Sequence, residues 1–161
     1  MTDAIQNPPT STPPGTAHLS IERIYVKDLS LENPGSPQSF QMTEPPQVEI
    51  GLRTRSETLQ PDVYECVLTL TVTARAGDRT VFLVEAAQAG IFTIRGANEE
   101  QLGMVLATHC PTLLFPYVRE TIADATMRMG FPPVHLAPVN FEMLYAQQAA
   151  AQQAPAPAAV N

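Results

Sequence analysis

Apolar and polar residues alternate with period two through much of the first half of the chain. From Tyr64 to Arg75 the even positions are Tyr64, Cys66, Leu68, Leu70, Val72 and Ala74, and the odd ones are mostly Glu65, Thr69, Thr71, Thr73 and Arg75. Side chains leave a strand on alternate faces, so this spacing predicts a strand with one buried face. Val48, Ile50 and Leu52 alternate with Glu49, Gly51 and Arg53 in the same way. Residues 21–32 form another extended, β-branched and aromatic run, whose parity slips near Ile24 and Tyr25 as a bulge would make it slip. A fourth strand runs from Thr80 to about Arg95, with Phe82, Val84, Ala86, Gln88, Phe92 and Ile94 on one face and Leu83, Glu85, Ala87 and Ala89 on the other.

The connections decide the topology. Pro61-Asp62 and Ala76-Gly77-Asp78 are turn signals too short to join anything but antiparallel neighbours, so strands two, three and four form a meander. The stretch from Asn33 to Gln47 holds four prolines and is long for a structureless link, which predicts a crossing loop.

After Asn98 the period becomes helical up to about Met129, and Pro111, which has no amide hydrogen to donate, is expected to break or kink that run. Between Gln101 and Val118 there is no Asp, Glu, Lys or Arg. Leu102, Met104, Val105, Leu106, Leu113, Leu114, Phe115 and Val118 cover more of the helix circumference than one sheet can hide. Past Gly130 a proline-rich apolar loop leads to Asn140, a cap for a last helix bearing Phe141, Leu144 and Tyr145. The ends differ from the middle: residues 1–18 read as a disordered tail, 19–145 as the folded domain, and 146–161 as an Ala/Gln/Pro tail whose start is able to prolong a helix until Pro155.

Composition narrows the function. The 161 residues carry 9 Lys+Arg against 16 Asp+Glu, a net charge of −7, and the one lysine is Lys27. Scattered cations on an acidic chain argue against nucleic acid and against anionic membrane surfaces. The longest uncharged window is interrupted by Pro111 and Pro116, so no direct membrane insertion is expected, and the N-terminus has no apolar run to serve as a secretory signal. A cytoplasmic protein follows.

No phosphate-binding glycine loop, dinucleotide turn, nucleophile elbow or helical histidine pair occurs, so neither enzyme activity nor a cofactor or metal is expected. His18, His109 and His135 stand in three unrelated settings, and Cys66 and Cys110 read as buried free thiols. Two features carry positive content. One is an excess of apolar residues, found in the helix, the loop and both faces of the fourth strand, which marks an interaction or oligomer surface. The other is acidic side chains on strands, Asp28 and Glu32 at i, i+4 and Glu85 beside Leu83.

Several segments, in order, closely resemble the SecB family of protein-export chaperones: Ile24 to Ser30, Val63-Tyr64-Glu65, Gly90-Ile91-Phe92, Cys110-Pro111 with Leu114 to Tyr117, Arg119-Glu120, and Leu136 to Phe141. The resemblance implies an α+β fold, a four-stranded antiparallel sheet packed with two helices, assembled as a dimer of dimers. It implies an ATP-independent holdase that binds unfolded secretory precursors and delivers them to the SecA motor. Val48, Ile50, Leu52, Phe131, Leu136, Phe141, Leu144 and Tyr145 match the family's client groove, and Asp28, Glu32, Leu83 and Glu85 its motor-binding face. Phe82, Val84, Ala86 and Gln88, with Leu106, Leu113 and Phe115, match its oligomer interface. Two other readings of the apolar excess stay open: an antitoxin-type module holding one cytosolic partner, and a binder of a small apolar ligand.

Overall fold

The computed structural model of the chain describes residues 17–153. The expectations for residues 1–16 and 154–161 lie outside the described residues.

Four strands, β1 (His18–Glu32), β2 (Gln47–Gln60), β3 (Val63–Ala76) and β4 (Arg79–Arg95), form one antiparallel sheet in the order β1-β4-β3-β2. β2, β3 and β4 are a meander joined by tight turns, in which Asp62 and Gly77 take positive φ. The 14-residue link from Asn33 to Pro46 then carries the chain across the width of the sheet from one edge strand to the other, with a short 3-10 turn at Gln38–Gln41.

Strand β1 spends 15 residues on 13 partner positions, because its register shifts between Ile21 and Arg23 and again between Val26 and Asp28. Each shift resets the in-out alternation. Leu19 and Ile21, then Ile24 and Val26, then Leu29 and Leu31 therefore all pair with residues on one face of β4: Ile94, Phe92, Gly90, Gln88, Ala86 and Val84. The slip in parity along the sequence is this pair of bulges.

That face meets the helices. α1 (Glu99–Met104) starts with a capping box between Asn98 and Gln101 and runs without a break through a π-helical turn (Val105–His109) into α2 (Cys110–Arg128). Pro111, expected to break or kink the run, leaves it continuous but not regular. It sits in the first turn of α2, and the chain widens to π geometry just before it, so that the Cys110 N–H bonds to the Val105 carbonyl. α2 packs over β3 and β4, burying Cys66, Leu68, Leu70, Val72, Val84, Ala86 and Phe92 against Leu114, Val118 and Ile122.

α2 ends in a Schellman motif: Phe131 N–H bonds to the Thr126 carbonyl, Gly130 N–H to Met127, and Gly130 takes φ 90°. Thr126 Oγ1 then accepts the Val134 N–H at 3.1 Å and pins the loop that follows. Asn140 Oδ1 accepts the Met143 N–H at 2.9 Å at the start of α3 (Phe141–Gln153), which packs on the π-helical turn.

Candidate functional site: an apolar groove and a charged sheet face

Because α2 covers β3 and β4, the edge strand β2 is left open beside it. Val48, Ile50 and Leu52 pair with Ala74, Val72 and Leu70 and so share the helix-side face of the sheet. Val48 and Ile50 are 45% and 54% exposed there. Farther along, Leu52, Leu106, Phe141, Leu144 and Tyr145 line a depression of about 260 Å³ between β2, the π-helical turn and α3. Its floor is apolar, and Thr54, Ser56 and Gln148 stand at its polar border.

The residues expected to hold a client thus divide. Leu52, Phe141, Leu144 and Tyr145 come together in this groove, and Ile50 and Val48 continue it along the strand. Phe131 lies elsewhere. Its ring stacks on Phe40 at 5.2 Å and on Phe82 at 4.7 Å, beneath the crossing loop, where Met42, Pro45 and Pro46 line a second depression. Leu136 and Phe141 are largely enclosed in the core, Phe141 edge-on to Phe115.

On the opposite face of the sheet, Asp28 pairs with Ala87, Glu32 with Leu83, and Ser30 with Glu85, so Asp28, Glu32, Leu83 and Glu85 share one surface. That surface is not simply acidic. Lys27, Asp28, Arg53, Arg55 and Glu85 rim one shallow basin whose floor includes Val67, Thr69 and Ala87. Glu85 Oε2 accepts the Thr71 hydroxyl at 2.7 Å, and Arg53 Nη2 lies 3.6 Å from Glu85 Oε1. Arg53 also borders the groove, and it is the residue the groove and the basin share. Sequence reasoning placed Arg53 opposite Leu52 but had no signal for its reach to Glu85, since β3 separates their two strands.

Beside this basin Glu65 is buried among donors: Lys27 Nζ at 2.6 and 2.8 Å, and the Tyr25 hydroxyl. Hydrogen bonds from Lys27 and Tyr25 hold the Glu65 carboxyl below the usual carboxylate range. Burial first, and then the carboxylate, push the Tyr25 phenol up to about 12.

The residues expected at a subunit interface lie in two settings. Phe82, Val84, Ala86 and Gln88 are buried in the chain's own core, because theirs is the β4 face that α2 covers; Phe115 is buried on α2 itself, beside Phe141, and all five present almost no surface in the single chain. Leu106 and Leu113 are half-buried beside the core. A row that sequence reasoning did not single out, Ile21, Val26, Leu29 and Leu31 on edge strand β1, is 41–49% exposed. The bulges were its signal, because only a double reset of parity puts these four on one face.

Cys66 and Cys110 are both buried and free, and the Cys66 neighbour together with burial pushes the Cys110 thiol up, which keeps it protonated. Among the described residues no group of three or more His, Cys, Asp and Glu could hold a metal ion, and no helix is long and apolar enough to cross a membrane.

A sheet backed on one face by helices, with an apolar groove at one edge and a charged surface on the other face, is the build of a chaperone-type binding subunit. The chain matches the family described as "Preprotein translocase subunit SecB" over residues 13–152. It is 55% identical over 130 residues to the protein-export protein SecB of Methylobacillus flagellatus, covering 81% of this chain and 83% of that one. It is 46% identical over 163 residues to the SecB of Nitrosococcus oceani, covering 100% and 99%. Among solved structures, a SecB-like chaperone of Mycobacterium tuberculosis, in complex with a peptide from an antitoxin, matches with a TM-score of 0.63 at 18% identity, over 76% of this chain and 91% of that one. The chain belongs to the SecB family and has its role as a chaperone in protein export.

Proposed function

We propose that the chain works as a nucleotide-independent holdase in the cytoplasm, taking unfolded precursor proteins into the groove at β2 and α3 and passing them to the SecA motor. The observation that carries this reading is the open apolar track from Val48 and Ile50 to Leu52, Leu144 and Tyr145. A folded protein hides its apolar segments, so such a track selects for the unfolded state and not for one sequence, each buried side chain contributing roughly 1.5–3 kcal/mol before ordering costs. The work is binding alone: no bond is made or broken.

Assembly as a dimer of dimers is supported by the exposed row Ile21, Val26, Leu29 and Leu31, which is apolar surface on an edge strand and calls for a partner. Four grooves on one particle, engaging one long chain, strengthen capture by about 10² to 10⁴ over a single groove. Release falls to the motor, docking on the face with Asp28, Glu32, Leu83 and Glu85, where charge steers encounter.

The test measures solution mass by light scattering, with and without a denatured precursor, and in parallel the aggregation of that precursor on dilution from denaturant without nucleotide. A particle of four chains that gains one precursor and suppresses its aggregation supports the proposal. A monomer, or a tetramer that leaves aggregation unchanged, overturns it.

A further inference from the structure

Glu85 faces a cation of its own chain. Arg53 reaches it across β3, at 3.6 Å from Oε1, while the other carboxylate oxygen accepts from Thr71. The Thr71 hydroxyl fixes the carboxylate, whereas the arginine side chain is 74% exposed and the glutamate 33%. An exposed pair of this kind is weak and readily exchanged.

Resting on the reading that a basic partner surface docks at Glu85, we propose that Arg53 is the internal competitor for that site. A lysine or arginine of the partner must take the place of the Arg53 guanidinium on Glu85, so Arg53 sets how tightly the face docks. Asp28 stands on the same basin with no ion pair to it among the described residues, and makes first contact available to the partner while Glu85 is still held. The residue is therefore a specificity-determining one: a surface with too few cations to outcompete Arg53 gains only the Asp28 contact.

The competition has a definite signature. The proposal requires Arg53→Gln to tighten binding, even though it removes a side chain from the docking face. A direct contact would weaken on the same change.

The experiment measures the dissociation constant of purified SecA motor for the whole assembled protein by titration calorimetry at low and at high salt. The variants are Arg53→Gln, Glu85→Gln, the two together, Asp28→Ala, and Arg79→Gln, which removes the same charge as Arg53→Gln but at the β3–β4 turn. The expected result is tightening by about three- to five-fold for Arg53→Gln at low salt, fading as salt screens the face. Arg79→Gln changes little. Glu85→Gln weakens binding, and adding Arg53→Gln to it gives no further gain, because the competed carboxylate is gone.

If Glu85→Gln weakens binding but Arg53→Gln leaves it unchanged or weaker, the docking face stands and the competition is overturned. If Arg79→Gln tightens binding equally, net charge and not competition at Glu85 is responsible, and the proposal fails. If neither Glu85→Gln nor Asp28→Ala affects the motor, the docking reading itself fails and takes this proposal with it.

Discussion

The Cys66 thiol lies 3.8 Å from the carbonyl oxygen of Leu106 and donates to it. This carbonyl lacks its ordinary helical partner: the Cys110 N–H bonds one residue further back, to Val105, and Pro111 has no N–H to offer. A buried thiol on β3 thus supplies the donor that the π-helical turn leaves out, tying the sheet to the helix where the groove is formed. Cys66→Ala is expected to cost about 1–3 kcal/mol, from the lost donor and the small cavity together. Urea denaturation checks the value. In a Pro111→Ala background, where an N–H becomes available at that position, the cost of Cys66→Ala falls, and equal costs in both backgrounds would sink the assignment.

Glu65 predicts a dependence on pH. Its folded pKa is depressed below the ordinary value of 4.5, so the stability it contributes is present above that range and is lost as the pH falls through the folded value. Glu65→Gln lowers stability at pH 7 by about 1–2 kcal/mol and flattens the acid limb of a stability–pH profile. Tyr25 acts in the other direction. Its pKa is raised from 10 to about 12, so its contribution is complete below pH 10 and disappears as the pH rises through the folded value. Ultraviolet titration of the four tyrosines should show one ionising late, and Tyr25→Phe should remove that step.

Ile50 and Leu144 lie on the open track but outside the fully buried core. Replacing both by Ser removes roughly 1.5–3 kcal/mol of burial per side chain from every client contact, enough to weaken capture by tenfold or more. Aggregation assays on a denatured precursor are expected to show lost protection while light scattering shows the same assembled mass. Full protection by the double variant would remove the groove as the client site.

Asp28 and Glu85 are on the surface turned away from that track. Asp28→Ala with Glu85→Ala is expected to weaken motor binding at least several-fold, most strongly at low salt, and to leave client protection intact. Calorimetry against the motor and the aggregation assay together separate the two faces, and parallel losses in both would contradict their independence.

β3 and β4 were legible because each has one dry face, and a dry face writes period two into the sequence, as Cys66 to Ala74 and Phe82 to Gln88 show; β1 and β2 carry their apolar rows on the same side of the sheet, but the single chain leaves those rows open. The Asn140 cap and the crossing loop were equally legible, since both rest on local chemistry. At Pro111 the helix absorbs the missing donor by widening, and the carbonyl left over takes its donor from a thiol 45 residues earlier in the chain (111 − 66 = 45), a contact outside any local pattern. Family resemblance placed the groove residues in one set, but which of them share a depression depends on how α3 lies on the π-helical turn. The mixed charge of the docking face was hidden for a similar reason. Arg53 and Glu85 are neighbours only through the register of two strand pairs, which no local pattern records.

The residues that pass without a partner at the two irregularities of β1 are Glu22 and Lys27. Both are employed: Glu22 accepts from Ser20 and Thr93, and Lys27 holds Glu65. Leaving out either one would join Ile21 directly to Arg23, or Val26 directly to Asp28, in unbroken alternation, with every remaining cross-strand pairing kept. The edge strand therefore accommodates single-residue loss at these two places without frameshifting its inner surface, and a shortened chain would forfeit the charged tether and the local twist while retaining the sheet.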